Sequence, residues 1–137
     1  MRLVLHWLVP VSPLTLLTCV GWLLAYLEDR VRDVEPIAVR VPELSSSARG
    51  GEIAFAKYCA ECHGSNAAGR PAGPPLIHPL YRSAHHADAI VQMAVRSGVG
   101  QHHWRFGDMP PIAAVADTRL EAIVRYVRDL QYANGLD

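Results

Sequence analysis

The sequence predicts an all-α chain: an apolar N-terminal segment, then a small domain of about three main helices. Three observations carry this reading. Apolar residues recur at helical spacing through the C-terminal half. No region is rich in strand-like alternation, and no internal repeat is present. Finally, Cys59-Ala60-Glu61-Cys62-His63 is followed by a loop crowded with glycine and proline.

The elements follow in chain order. A first helix over about 50–60 carries Ile53, Ala54 and Ala56 beside Phe55. The loop from Gly64 to Pro79 has Gly64, Gly69 and Gly73 among its prolines, which suits tight turns rather than a regular element. A second helix is expected over about 87–97, capped by His86 or Ser83 and ended by Gly98. Ile90, Val91, Ala94 and Val95 form its buried stripe. The last helix starts near Asp117 as N-cap, with Glu121 in its first turns. Leu120, Ile123, Val124, Val127 and Leu130 face inward. Arg119, Arg125, Arg128 and Asp129 are expected to face solvent.

Leu3 to Leu27 contain no Asp, Glu, Lys or Arg. About 20 apolar residues suffice to cross a bilayer. No A-x-A-like cleavage site follows Leu27, where Glu28-Asp29-Arg30 begins, so an uncleaved signal anchor over 1–28 is the expectation, with a cleaved signal peptide as the alternative. Ser12 and Pro13 should begin its helix, with Trp22 and Tyr26 near the outer interface. Cys19 follows Thr18 where a lipoprotein signal wants a smaller residue, so it reads as an inert thiol within the apolar run. Residues 29–48, with Pro36, Pro42 and Ser45-Ser46-Ser47, read as a flexible linker. Residues 49–137 form the domain.

Formal net charge is zero, which argues against nucleic acid as a partner. From Arg49 onward nine Lys or Arg stand against eight Asp or Glu, and Lys57 is the only lysine. Long-range steering of a charged partner should be modest.

C-x-x-C-H is the attachment signature of a c-type haem. Two thiols one helical turn apart reach the two vinyl groups of one porphyrin edge, and His63 then lies under the iron as a candidate proximal ligand. A thioredoxin-like redox pair needs a βαβ context, and a structural zinc site needs a second ligand pair. Neither is visible.

Residues 49–133 resemble the class I cytochrome c family. Gly51 and Phe55 stand eight and four residues before Cys59, as in that family. Gly73-Pro74-Pro75-Leu76 matches its proximal loop, and Gly107-Asp108-Met109-Pro110-Pro111 matches its distal methionine loop. Tyr126 matches the aromatic of its last helix. The resemblance implies the small class I cytochrome c fold, packed around one haem c held through Cys59 and Cys62. It implies a Pro74 carbonyl that accepts from His63, and a Leu76 packed on the proximal haem face. It also implies Met109 as sixth ligand, with a histidine as the alternative, since His102 and His103 lie seven and six residues upstream. A thioether there is a soft donor that raises the potential relative to a second histidine. Among the competing methionines, Met1 opens the anchor and Met93 reads as a buried core residue. Trp104 and Arg105 are candidate donors to the haem propionates.

His78, His85, His86, His102 and His103 are not required by the family. They read either as polar surface residues, one or two of them bonded to a propionate, or as a pH-sensitive docking patch. A third reading is a second metal site, with copper or zinc at His102 and His103. Adjacent histidines are expected to point to different sides.

The leading expectation is a membrane-tethered, single-pass mono-haem carrier whose haem domain faces the periplasm. It would exchange single electrons with redox proteins such as an oxidase, a reductase or a quinol-oxidising complex. The alternatives are a gas-binding sensor or enzyme subunit with a labile sixth ligand, in which Asp108 is a conceivable proton handler, and a copper-handling partner.

Overall fold

The computed structural model describes residues 12–32 and 36–136. They belong to two units, Met1–Asp33 and Val34–Asp137.

The first unit contributes α1 (Pro13–Arg32). Pro13 occupies its first position, and the Ser12 hydroxyl accepts from the Thr15 amide at 3.3 Å. Pro13 to Leu27 is apolar or uncharged, but Glu28, Asp29, Arg30 and Arg32 follow inside the same helix. At 1.5 Å per residue that uncharged stretch is roughly 22 Å long, short of the ~30 Å hydrocarbon core. Among the described residues no helix is long and apolar enough to cross a membrane. The expected span also includes Leu3–Val11, which lie outside the described residues, as does Met1.

The second unit holds α2 (Ser46–Tyr58), α3 (Ala60–His63), α4 (Asp88–Ser97) and α5 (Asp117–Ala133). Single 3-10 turns stand at Ser65–Ala67 and Pro79–Tyr81. No strand occurs among the described residues; two isolated bridges pair Arg70 with Gly73 and Val99 with Met109. The expected all-α domain is observed, with differences at the helix ends.

The serine run does not extend a linker. Ser45 caps α2, its hydroxyl accepting from the Ala48 amide at 3.2 Å, and Ser46 and Ser47 form the first turn. Residues 36–45 are extended and tied down rather than free. The Ile37 amide donates to the Ala68 carbonyl at 2.9 Å, and the Arg40 amide donates to Asn134 Oδ1 at 2.9 Å. Asn134 Nδ2 returns a bond to the Arg40 carbonyl at 2.8 Å. Val39 and Leu44 pack on the core.

Neither His86 nor Ser83 caps α4; Ala87 stands at that position without a side-chain bond. Gly98 ends the helix as expected. Of its stripe only Val95 is fully buried, and Ile90 is exposed. Met93, expected in the core, is 56% exposed. Asp117 is the first residue of α5 and Ala116 its cap.

The core is the crossing of α2 and α5. Leu120, Ile123, Val124, Val127 and Leu130 are all buried, as their spacing predicts. Phe55 and Tyr126 meet with ring centroids 5.6 Å apart. The Tyr126 hydroxyl donates to Asn66 Oδ1 at 3.0 Å. Burial, with a smaller contribution from Glu52, pushes that phenol up to about 12. Gly51 lets the helices approach: a Cβ there would stand 1.9 Å from the Ala122 carbonyl oxygen. Gly50, one residue earlier, faces open space.

Arg128 is not an outward charge. Its Nε donates to Asp88 Oδ1 at 2.8 Å and its Nη1 to the Tyr81 carbonyl at 2.8 Å, while Nη2 donates to the His86 carbonyl. Gln131, 2% exposed, donates from Nε2 to the carbonyls of Leu76 and Tyr81 at 2.9 and 3.0 Å. Together the two side chains clasp the loop over 76–86 against α5.

Two outcomes test this packing. Gly51→Ala should lower unfolding free energy by about 3 kcal/mol through overpacking, whereas Gly50→Ala should raise it by up to about 1 kcal/mol through helix propensity. Denaturant titration of the haem-loaded protein distinguishes them. Tyr126→Phe should cost about 1 kcal/mol of hydrogen bonding near neutrality. A phenol raised on folding stabilises the fold below pH 10 and loses that contribution as pH climbs through about 12. The variant should therefore show a shallower alkaline loss than the parent.

Candidate functional site

The Cys59–His63 turn is formed by the end of α2. The Cys59 amide still donates to the Phe55 carbonyl at 2.8 Å, but its backbone leaves the helical region. The chain then turns once more as α3, with the His63 amide donating to the Cys59 carbonyl at 2.9 Å. Cys59 is buried and Cys62 exposed, and neither is paired in a disulfide. Burial pushes the Cys59 thiol up to about 11, and the neighbouring Cys62 adds to the shift.

After His63 the chain reverses. Asn66 and Ala67 adopt left-handed backbone, φ 55° and 60°. The Gly69 amide donates to the His63 carbonyl at 2.7 Å, and the Leu76 amide to the Ala67 carbonyl at 2.9 Å. Arg70 and Gly73 exchange two backbone bonds of 3.0 Å, closing a tight turn. Gly73 lies directly against the cysteine turn: a Cβ there would sit 3.0 Å from the Cys62 carbonyl oxygen. The next residue is thereby delivered to His63. The Pro74 carbonyl lies 2.9 Å from His63 Nδ1. A carbonyl can only accept, so the proton is on Nδ1 and Nε2 keeps its lone pair. Burial pushes the imidazole below its ordinary range, and the Pro74 bond partly opposes this. The ring is therefore held neutral, the form that binds a metal.

Leu76 and Met109 are half-buried and pack on the same core cluster that contains Cys59. Met109 is held by its backbone, which exchanges two 2.9 Å bonds with Val99. The Ile112 amide, just beyond, donates to the Val95 carbonyl at 2.8 Å. The methionine loop is thus pinned to the end of α4 on both sides.

Trp104 and Arg105 part company. The Trp104 indole N–H donates to the Tyr81 hydroxyl at 2.9 Å, and its ring meets His78 edge-on at 5.1 Å. That donor is therefore engaged within the protein. Arg105 is exposed and makes no polar contact among the described residues. Sequence reasoning missed Tyr81 as the partner of Trp104 and Asn66 as the partner of Tyr126. It also missed Gln131, although a glutamine beside Leu130 in an apolar stripe is a readable sign of a buried polar anchor.

The residues fit a c-type haem on this geometry. Two thiols stand one turn apart, and the histidine after them has its only unbonded ring nitrogen free for iron. A half-buried apolar rim of Leu76, Val91, Met109 and Ile112 lies on the core. The family model described as cytochrome C oxidase, cbb3-type, subunit III matches residues 46–127. The chain belongs to that family and is a mono-haem c-type cytochrome, with haem c held covalently through Cys59 and Cys62. It is an electron carrier rather than an enzyme. No curated protein matches the chain, and no solved structure matches it.

Gly73→Ala should push the proximal loop off the cysteine turn and lengthen the His63–Pro74 bond. Losing that bond makes the imidazole a weaker donor to ferric iron. The reduction potential should rise and thermal stability fall. An unchanged potential, measured by redox titration, would separate the glycine from the histidine.

Proposed function

We propose that this domain passes single electrons between membrane redox complexes while tethered to the inner membrane, with the haem on the periplasmic side. The haem supplies a one-electron ferric–ferrous couple; the residues set its ligation and surroundings. His63 Nε2 would hold the iron, with the ring fixed in tautomer and orientation by the Pro74 carbonyl. The Met109 thioether would supply the second donor, its backbone held by the pairing with Val99. Leu76, half-buried on the core, would pack against the haem. Arg105, exposed and without a polar contact among the described residues, is a cation available to a propionate. The single observation that carries the reading is the 2.9 Å His63–Pro74 bond beside the Cys59–Cys62 pair. It readies one ring nitrogen for iron.

The tether rests on the charge-free run Leu3–Leu27 and on the exposure of α1's side chains. Leu14, Leu17, Trp22 and Leu23 are each more than half exposed, on more than one face of the helix. A helical stretch apolar on several faces, as α1 is up to Leu27, calls for an apolar surrounding. Tethering raises the effective concentration of partners, so a neutral docking surface suffices. The family's name points to a terminal oxidase among those partners, and a quinol-oxidising complex is the matching source of electrons.

Visible spectra of the oxidised and reduced protein, with and without carbon monoxide, test the ligation. The expected result is a low-spin protein with a thioether–ferric band, indifferent to carbon monoxide. Met109→Ala should lose that band and bind carbon monoxide when reduced. Rapid binding by the unaltered protein would overturn the carrier reading in favour of a sensor. Washing membranes with carbonate tests the tether: retention is expected, and release into the soluble fraction would contradict it.

A further inference from the structure

We propose that His86, His102 and His103 bind one divalent late transition-metal ion, Cu2+ more tightly than Zn2+. Each residue offers a ring nitrogen, and these atoms lie within 4.8 Å of one another. A tetrahedral ion at metal–nitrogen distances of about 2.0–2.1 Å sets the nitrogens roughly 3.4 Å apart. His103 is exposed, so rotation of its side chain narrows the difference without moving the backbone. The adjacent pair does not diverge as expected from sequence. The bend over 101–106 brings the two rings to a centroid distance of 4.1 Å, and His86 comes from the other loop to complete the set.

The arrangement is prepared beyond the three donors. His86 Nδ1 lies 2.7 Å from the Leu80 carbonyl, and His102 Nδ1 lies 2.8 Å from the Gly100 carbonyl. Both Nδ1 atoms therefore carry a proton, which leaves Nε2 of each ring as the atom that would meet the ion. Tying the second ring nitrogen of a ligating histidine to a carbonyl is the usual way a metal site fixes tautomer and direction.

The backbones are fixed too. Arg128 donates to the His86 carbonyl. The Gln101 amide donates to Asp108 Oδ1, and the Gly107 amide donates to Gln101 Oε1, both at 2.8 Å, knitting the bend that carries His102 and His103.

Three imidazoles with no carboxylate suit copper and zinc, not calcium or magnesium. The stability order of divalent ions places Cu2+ above Zn2+ at such a site. The fourth position faces solvent and would hold water or a donor from a partner. The bound ion links the loop before α4 to the bend that leads, six residues after His103, to Met109. It should therefore stiffen the segment in which Val99 and Met109 pair.

The test uses the full-length, haem-loaded, oxidised protein, titrated with Cu2+ and separately with Zn2+. Calorimetry should give one ion per chain, with Cu2+ the tighter. Electron paramagnetic resonance of the copper should show nitrogen hyperfine coupling. His102→Ala and His103→Ala should each weaken binding at least tenfold, as should His86→Ala, while His78→Ala and His85→Ala should not. Because His102 and His103 are exposed, those two variants decide the matter even if His86→Ala disturbs the haem spectrum. No stoichiometric binding, or unchanged affinity in the His102→Ala/His103→Ala double variant, would overturn the site. Hydrogen exchange at the Val99 and Met109 amides should slow on Cu2+ loading; unchanged exchange would overturn the link between the loops. None of these readouts depends on which residue ligates the iron.

Discussion

The close crossing of α2 and α5 at Gly51 is the constraint on which the rest of the domain depends. The Ala122 carbonyl occupies the space a side chain at 51 would need. One turn further along α2, Phe55 meets Tyr126, and one turn beyond that the helix ends in Cys59. The position of the haem-bearing turn is therefore set by helix packing two turns away. Apolar burial along α5 supplies the driving force at about 25 cal/mol per Å2 of apolar surface removed from water, and the glycine fixes where along the helices it is collected.

From that fixed turn the chain must double back to place a carbonyl under His63. Two consecutive left-handed residues, Asn66 and Ala67, make the reversal, and the closed turn between Arg70 and Gly73 completes it. Left-handed backbone at non-glycine residues costs of order 1 kcal/mol or more each. It is held by its surroundings: Tyr126 bonds the Asn66 side chain and the Leu76 amide bonds the Ala67 carbonyl. Farther on, Gln131 and Arg128 grip the same loop from α5. Among the described residues no buried side-chain donor or acceptor lacks a partner, so the polar anchoring of this loop is complete.

Much of this was legible in the residues. The cysteine pair, its histidine and the five-residue stripe of α5 each follow from spacing, because chemistry or periodicity demands one arrangement. Gly51, Phe55, Pro74 and Tyr126 were legible only through likeness to a family, since nothing local marks them. What was not legible depended on long-range partners. Arg128 looked like a solvated charge, but its guanidinium reaches three carbonyl or carboxylate oxygens contributed by other segments. Met93 looked like a core methionine, but α4 buries a narrower face than its composition suggests. The serine run read as linker because propensity alone does not distinguish a cap from a spacer. Trp104 offered a donor, and only the fold reveals Tyr81 as its acceptor. The histidine cluster required the meeting of two loops 16 residues apart in sequence, which no local pattern encodes.

A formal net charge of zero accords with a carrier that does not depend on long-range electrostatic attraction. The proposed ligation turns on two donors, His63 beside the Pro74 carbonyl and Met109 paired through its backbone with Val99. The most direct test is proton magnetic resonance of the ferrous protein. A thioether bound to iron places its methyl group in the haem ring current and moves it far upfield as a three-proton singlet. The account predicts one such singlet, lost in Met109→Ala and retained in Met93→Ala. Its absence from the parent protein, or its loss in the Met93 variant instead, would contradict the His63/Met109 site.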